Sequence, residues 1–301
     1  MSKSLVIMAA GLASRYGGAK QIEKVGPENE ILMEYTIYDA MKAGFDRFII
    51  VLKPEMLEDF RAVCGARLEK HVDVRYVFQT FDALPAFFTM PEGRTRPYGT
   101  VPAVLSAAPE IDGCFAALNA DDFYGEGAFR CMSEALDELA ETNEGAMVAY
   151  KLANTVSDFG TVTRGVCSLE NGWMTEVVET FKIGKDATGK IRSFHDSEEG
   201  VLLPEDSAVS MNFWGFTPWM LQRMQTYFED FLHSEAGLAL KSECLLPTMI
   251  GELIASGELR VREKTTDETW FGMTYHEDRA TTAQMLKKLT DAGKYPPILF
   301  A

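Results

Sequence analysis

The chain has 301 residues, 47% of them apolar and 25% charged, with a formal net charge of −16 at pH 7. This composition suits a globular chain with a substantial core and excludes a disordered or fibrous one. Its acidity argues against a surface built for nucleic acid or an anionic membrane, and no apolar run approaches the ~20 residues of a bilayer span.

The first predicted strand, Ser4–Ile7, leads into Met8-Ala9-Ala10-Gly11-Leu12-Ala13-Ser14-Arg15-Tyr16-Gly17-Gly18-Ala19-Lys20. Glycines at 11, 17 and 18 let main-chain N–H groups turn toward phosphate oxygens, Arg15 offers a fork and Lys20 a point charge, a combination that suits a triphosphate. The spacing is neither a Walker loop nor the Gly-x-Gly-x-x-Gly of a dinucleotide turn. The plain alternative is a glycine-rich strand-to-helix turn with both cations solvated.

Apolar β-rich runs at 5–8, 48–52, 74–78 and 115–118 alternate with helical periodicity at 31–43, 56–68, 101–108 and 129–139. The alternation predicts an α/β fold with a mostly parallel sheet covered on both faces and ligands beyond the C-terminal strand ends. Leu118-Asn119-Ala120-Asp121-Asp122 puts two carboxylates at one such end, where they either hold Mg²⁺ against phosphates or form an ordinary turn. Segment 81–95, with Pro85, Pro91 and Gly93, reads as an insertion able to cover a site.

Beyond residue 145 the pattern shifts to strands at 145–151, 160–167, 172–180 and 208–216, then helices at 219–231 and 245–255, which predicts a second lobe over the same cleft. Segment 184–199 is polar and glycine-bearing, as a loop or hairpin tip is. Lys182, expected at a strand end, is either a phosphate ligand or a solvated cation. Asn212 lies inside an apolar strand and, if buried, needs partners that a hydroxyl-rich ligand would supply. Asp278, between a strand at 258–263 and the last helix, is either a helix cap or part of an acidic cluster.

Histidines 71, 195, 233 and 276 lack metal-ligand spacing and no nucleophile elbow is present, so covalent catalysis has no support. The five cysteines form no Cys-x-x-Cys and read as small hydrophobes in a reducing compartment, so the expected location is cytoplasmic.

The run Ala9–Lys20 resembles the signature of the nucleotidyltransferases that join a nucleoside triphosphate to a sugar phosphate or similar small phosphate ester. Its Arg15, Gly17 and Lys20 are spaced more like the molybdenum-cofactor guanylyltransferase branch than the hexose thymidylyltransferases; phosphocholine cytidylyltransferase-like proteins belong to the same superfamily. The resemblance implies a Rossmann-like three-layer sandwich of the glycosyltransferase A-like type, with a mostly parallel mixed sheet and a smaller acceptor-binding lobe. Residues 1–301 would form one domain, with a nucleotide-binding half at 1–144 and an acceptor-binding half with C-terminal helices at 145–301.

It further implies catalytic Arg15, Lys20 and Asp121, and nucleotide contacts from Ala10, Gly11, a base-reading Gln79 and Gly99-Thr100. Acceptor contacts would come from Phe159-Gly160, Glu179, Lys182 and Asn212, and Mg²⁺ would sit on Asp121 and Asp278. Two departures stand out. Thr180 and Phe181 interrupt the Glu-Lys pair, and the second metal aspartate expected near Trp270-Phe271-Gly272 is absent, so Asp278 replaces it or Tyr275 fills the slot without binding metal.

The implied reaction is an in-line attack by an acceptor phosphate oxygen on the α-phosphorus of a triphosphate, a pyrimidine one on the Gln79 and Gly99 resemblance, releasing pyrophosphate without a covalent intermediate. The competing reading is a catalytically silent nucleotide-binding regulatory protein on the same fold. A dinucleotide oxidoreductase is disfavoured, because Leu52-Lys53 offers a lysine where the second strand should end in an acid.

Overall fold

Leu5, Val6 and Ile7 of β1 (Lys3–Met8) are all 0% exposed, as a strand covered on both faces requires. The structure, a computed structural model, describes residues 2–11, 22–139, 143–157, 160–273 and 278–300. Its strands continue as β2 (Arg47–Leu52), β3 (Asp73–Phe78), β4 (Cys114–Asn119), β5 (Asp122–Phe123), β6 (Glu144–Lys151), β7 (Val162–Glu170) and β8 (Trp173–Lys185). The remainder are β9 (Ile191–Ser193), β10 (Val201–Leu202), β11 (Ala208–Phe216), β12 (Arg260–Thr266) and β13 (Phe271–Gly272). The principal helices are α1 (Leu32–Lys42), α2 (Thr100–Ser106), α3 (Glu126–Glu138), α4 (Trp219–His233), α5 (Leu246–Ala255) and α6 (Asp278–Asp291).

The main sheet runs β10-β9-β8-β12-β6-β11-β4-β1-β2-β3. Its β3-β2-β1-β4 part is parallel, as the strand-helix alternation predicts. β11 inserts antiparallel between β4 and β6, and β12 returns parallel to β6. The sheet as a whole is therefore mixed, and antiparallel pairs dominate its later strands. Short turns cause this: β7 and β8 are joined by Asn171-Gly172, both at positive φ, and a two-residue hairpin permits only antiparallel pairing. β7 pairs with β11 as well as β8, which closes a ring of β8, β12, β6, β11 and β7. The expected second lobe thus shares strands with the main sheet.

Alternate residues of each central strand face opposite cores. Leu5, Ile7, Ile50 and Leu118 pack with buried residues of α1 and α3, whereas Val6, Ile49, Val51 and Ala117 pack with α2, α4 and α5. The expected helix at 56–68 is present as one continuous helical run, with α-helical Leu57–Phe60 and Ala66–Leu68 on either side of a π-helical stretch at Arg61–Gly65. Segment 81–95 is irregular apart from the turn Phe81–Ala83, and with Lys53, Gln79, Tyr98, Leu105 and Phe228 its start lines a cavity of about 530 Å³. Among the described residues no helix is long and apolar enough to cross a membrane.

Candidate active site

Because β1, β2, β3, β4, β6 and β12 share one direction, their C-terminal ends emerge at a single edge of the sheet. Met8 lies opposite Asn119, Ala120 N donates to Met8 O at 3.2 Å, and Ala9 N donates to Val51 O at 2.9 Å. Ala9-Ala10-Gly11 and Asp121 therefore leave adjacent strands side by side. Ala10 is buried, while Gly11 is exposed with open space where a Cβ would stand. Arg15 and Lys20, with Gly17 and Gly18, lie outside the described residues, as do Phe159 and Tyr275.

The chain after β12 returns to this edge. β13 pairs antiparallel with β5, Met273 N donates to Asp121 O at 3.1 Å, and the Phe123 and Phe271 rings stack at 4.4 Å. Asp278 is the first residue of α6, where the helix dipole favours an acid, and the position before it lies outside the described residues. Its neighbour Arg279 pairs with Glu23 at 2.5 Å and donates to Lys24 O at 3.2 Å. The start of α6 is thereby tied to the segment following the glycine-rich run, and β13 is tied to Asp121.

Among the described residues no group of three His, Cys, Asp or Glu side chains is arranged to hold a metal. Mg²⁺ takes one or two carboxylates together with phosphate oxygens and water, and carboxylates such as Asp121 and Asp278 are of that donor type.

A polar chain crosses the floor of the site. Trp214 Nε1 donates to Asn212 Oδ1 at 2.8 Å, Asn212 Nδ2 to Asn119 Oδ1 at 2.8 Å, and Asn119 Nδ2 to Asp122 Oδ2 at 2.9 Å. The buried Tyr124 hydroxyl accepts from Asn119 N at 3.2 Å and lies 3.2 Å from Met211 O and 3.3 Å from Asp122 Oδ2. Burial, reinforced by the Asp122 charge, pushes the Tyr124 phenol well above its ordinary range, so it stays a neutral donor.

Asn212 reaches this position through an irregularity of β11 between Ser210 and Trp214, with a φ of +59° that asparagine tolerates better than most residues. The partners expected for it are thus partly protein groups. Asn119 and Tyr124 were not anticipated; the one signal was an amide just before the paired aspartates. At Gly272, in the Trp270-Phe271-Gly272 stretch near which the resemblance expects a carboxylate, a Cβ would run into the Asp122 carboxylate and the Trp270 ring. Asp122 occupies that space.

Of the residues expected to meet the nucleotide, Gln79 and Gly99 are in contact, with Gln79 Nε2 donating to Gly99 O at 3.0 Å. Gly99 has φ +104°, and a Cβ there would stand 2.6 Å from Cys244 O. Cys244 N donates to Tyr98 O at 2.7 Å and Val101 N to Cys244 O at 3.1 Å, so this turn is stitched to the loop before α5. The Thr100 hydroxyl accepts from Leu246 N at 2.7 Å and so also anchors the start of α5.

Of the residues expected to meet the acceptor, Gly160 is exposed with open space around it, and Glu179 and Lys182 are exposed on β8. Lys182 is not at a strand end. It sits at φ +50° where the register between β7 and β8 slips, and β8 continues to Lys185. A different cation lies inward: Arg164 on β7 donates to Thr155 O and, at 2.9 Å, to Thr163 O, with its guanidinium 4.6 Å over the Trp270 ring. Burial pulls it down to about 10, with Asp122 opposing, so it remains cationic at neutral pH. A lone arginine in a short, polar-patterned strand gives no sequence sign of this burial.

Comparison with known proteins follows the same lines. A sequence profile of the nucleotidyl transferase family matches residues 5–184, and no curated protein matches the chain. Among solved structures, one assigned as a glucose-1-phosphate thymidylyltransferase from Bacillus anthracis, in complex with a sucrose, is similar at 12% identity and a TM-score of 0.63, over 95% of this chain and 96% of that one. The inositol-1-phosphate CTP transferase from T. maritima is similar at 13% identity and a TM-score of 0.60, over 96% of this chain and 97% of that one. These likenesses speak for the fold, an α/β chain around a central mixed sheet. The family match spans more than half of the chain and includes both strand ends that meet at Gly11 and Asp121, so the chain belongs to the nucleotidyl transferase family and is a nucleotidyltransferase.

Proposed function

We propose that this nucleotidyltransferase is Mg²⁺-dependent and joins a nucleoside triphosphate, a pyrimidine one, to a sugar phosphate or similar small phosphate ester with release of pyrophosphate. The supporting observation is the adjacency of Ala9-Ala10-Gly11 and Asp121 on neighbouring parallel strands, with the start of α6 tied to Glu23 and Lys24 and the β13 segment tied to Asp121. The acceptor class is supported by the names of the two similar structures, which act on glucose-1-phosphate and inositol-1-phosphate. The architecture is read as a three-layer sandwich of the glycosyltransferase A-like type. Residues 1–301 form one domain, with a nucleotide-binding half at 1–144 and an acceptor-binding half at 145–301, and act in the cytoplasm.

A phosphate monoester is already an anionic nucleophile, so no strong base is needed. The task is to bring two polyanions together, and catalysis is positioning plus charge neutralisation. In this reading Arg15 and Lys20 hold the β and γ phosphates and stabilise the departing pyrophosphate, while the main chain at Ala10 and Gly11 approaches the nucleotide. Gln79, beside Gly99 and Thr100, reads the base. Gly160, Glu179, Lys182 and Asn212 face the acceptor. Asp121 and Asp278 would hold Mg²⁺, which when bound neutralises triphosphate charge and polarises the attacked phosphorus.

The test is pyrophosphate release over the four common triphosphates and a panel of phosphorylated acceptors, with and without Mg²⁺. Release should require Mg²⁺ and one acceptor class, and Asp121→Ala should lower it by roughly 10²–10³-fold, as loss of a preorganised charge stabiliser does. Turnover of Asp121→Ala within about tenfold of wild type would remove the role given to Asp121. Triphosphate binding without release on any acceptor would favour the silent binding protein.

A further inference from the structure

Among the described residues three arginines have a buried Nε–H without a partner, at 164, 223 and 262. Arg223 forms an ion pair with Glu258 at 2.8 Å and Arg262 with Glu138 at 3.7 Å. Arg164 has no carboxylate at ion-pair distance: its hydrogen bonds go to two carbonyls, and its guanidinium lies over the Trp270 ring. The Trp270 Nε1–H is buried and unpartnered as well. Two unmet donors on stacked groups, one carrying a positive charge, form a combination that folded interiors seldom leave unanswered.

Their location makes the pair more than a packing fault. Thr155 follows β6, Trp270 follows β12 and Asp122 follows β4, so Arg164 sits at the same sheet edge as Gly11 and Asp121. Gly160, expected to meet the acceptor, is four residues upstream on the same segment. Lys182, the cation expected to meet the acceptor phosphate, is instead exposed at an irregularity of β8.

We propose that Arg164 and Trp270 form the anion-binding corner of the acceptor site and take the acceptor's phosphate, the role expected of Lys182; this rests on the acceptor being a phosphate ester, as argued above. The phosphate supplies the direct ion pair that Asp122, acting on Arg164 only from a distance, does not make, and it accepts from both free N–H groups; the guanidinium fork matches phosphate oxygens in a way an ammonium cannot. Both donors are closed to solvent in this structure, so phosphate binding requires them to become accessible. Asp122, held by Asn119 and near Tyr124, keeps a carboxylate close by and sets the register of the corner.

The test uses inorganic phosphate as the probe, with the triphosphate site filled by an α,β-methylene triphosphate analogue so that phosphate cannot bind there. Binding is followed by calorimetry and by tryptophan fluorescence. The wild-type chain should bind phosphate saturably. Arg164→Gln should weaken that binding at least tenfold, and Arg164→Lys and Trp270→Phe, which keep the charge and the ring respectively, should each weaken it severalfold. Affinity for the triphosphate analogue should be unchanged in all three.

If Arg164→Gln does not fold, the other two variants decide. Wild-type phosphate affinity in both Arg164→Lys and Trp270→Phe overturns the proposal, as does the absence of saturable phosphate binding in the wild type. Loss of binding in Lys182→Ala with none in Arg164→Lys returns the phosphate to Lys182. Because binding is read without turnover, a chain that binds phosphate at Arg164 and transfers no nucleotide keeps this proposal and refutes only the preceding one.

Discussion

Asp39→Asn should change how the stability of the fold depends on pH. Asp39 lies on α1, 1% exposed, with one carboxylate oxygen accepting from Tyr295 Oη at 2.7 Å and the other without a partner. Burial pushes its carboxyl up from 3.8 to about 7, while the Tyr295 bond and Lys294 pull it down and Glu126 and Glu268 add to the rise. An acid raised in the fold keeps a proton that the unfolded chain has already released. Its contribution is therefore greatest below about pH 4 and declines as pH climbs to about 7, the reverse of the usual salt-bridged aspartate.

Each pH unit across that interval is worth about 1.4 kcal/mol, so ionising Asp39 inside the fold removes about 4 kcal/mol. Asparagine cannot ionise and resembles the protonated acid. Urea unfolding of both proteins at a series of pH values from 4 to 8 gives the difference directly, with other titrating groups cancelling. Asparagine should gain on aspartate by about 4 kcal/mol across the series. A difference that stays flat would show that Asp39 ionises as an ordinary carboxyl and that its burial has no such cost.

Gly99→Ala should destabilise the chain by about 2 kcal/mol or more, since the new Cβ meets Cys244 O at a backbone angle reserved for glycine; unchanged urea unfolding would refute the close approach. Asn119→Ala should cost about 1–3 kcal/mol, because it removes a partner of both Asn212 and Asp122 at once, and should lower turnover as well. Stability and rate equal to wild type would show the polar chain to be incidental. Gln79→Ala should widen the choice among triphosphates more than it slows the best one, and selectivity identical to wild type would take base reading away from Gln79. Arg15→Ala should reduce turnover roughly 10²–10³-fold, and a loss under about tenfold would dismiss it as a phosphate clamp.

The local features of the chain were legible in order along it. Continuous apolar runs such as Leu5-Val6-Ile7 demand cover on both faces, and the helices supply it. Glycines and cations after β1, and aspartates after β4, mark strand ends, and two parallel neighbours must end at one edge. That reasoning needs only periodicity and chain direction, which neighbouring residues carry between them. The helix at 56–68 was legible but its π-helical stretch was not, because a π-turn adds a residue without disturbing the apolar pattern enough to reveal it.

The insertion of β11 between β4 and β6 was decided elsewhere, by pairings between residues from 57 to 101 positions apart in the chain. It is what sets Asn212 against Asn119, and one irregularity in β11 determines which way that side chain points. The same holds for Lys182 outside and Arg164 inside, and for Gly272 making room for Asp122. A single added residue in a strand moves every later side chain to the other face, and whether one is added depends on a partner strand far off in the chain. The sequence by itself determined the fold class and the edge where the candidate site lies; only the tertiary structure decided which polar groups meet there, because their contacts depend on register rather than on neighbours in the chain.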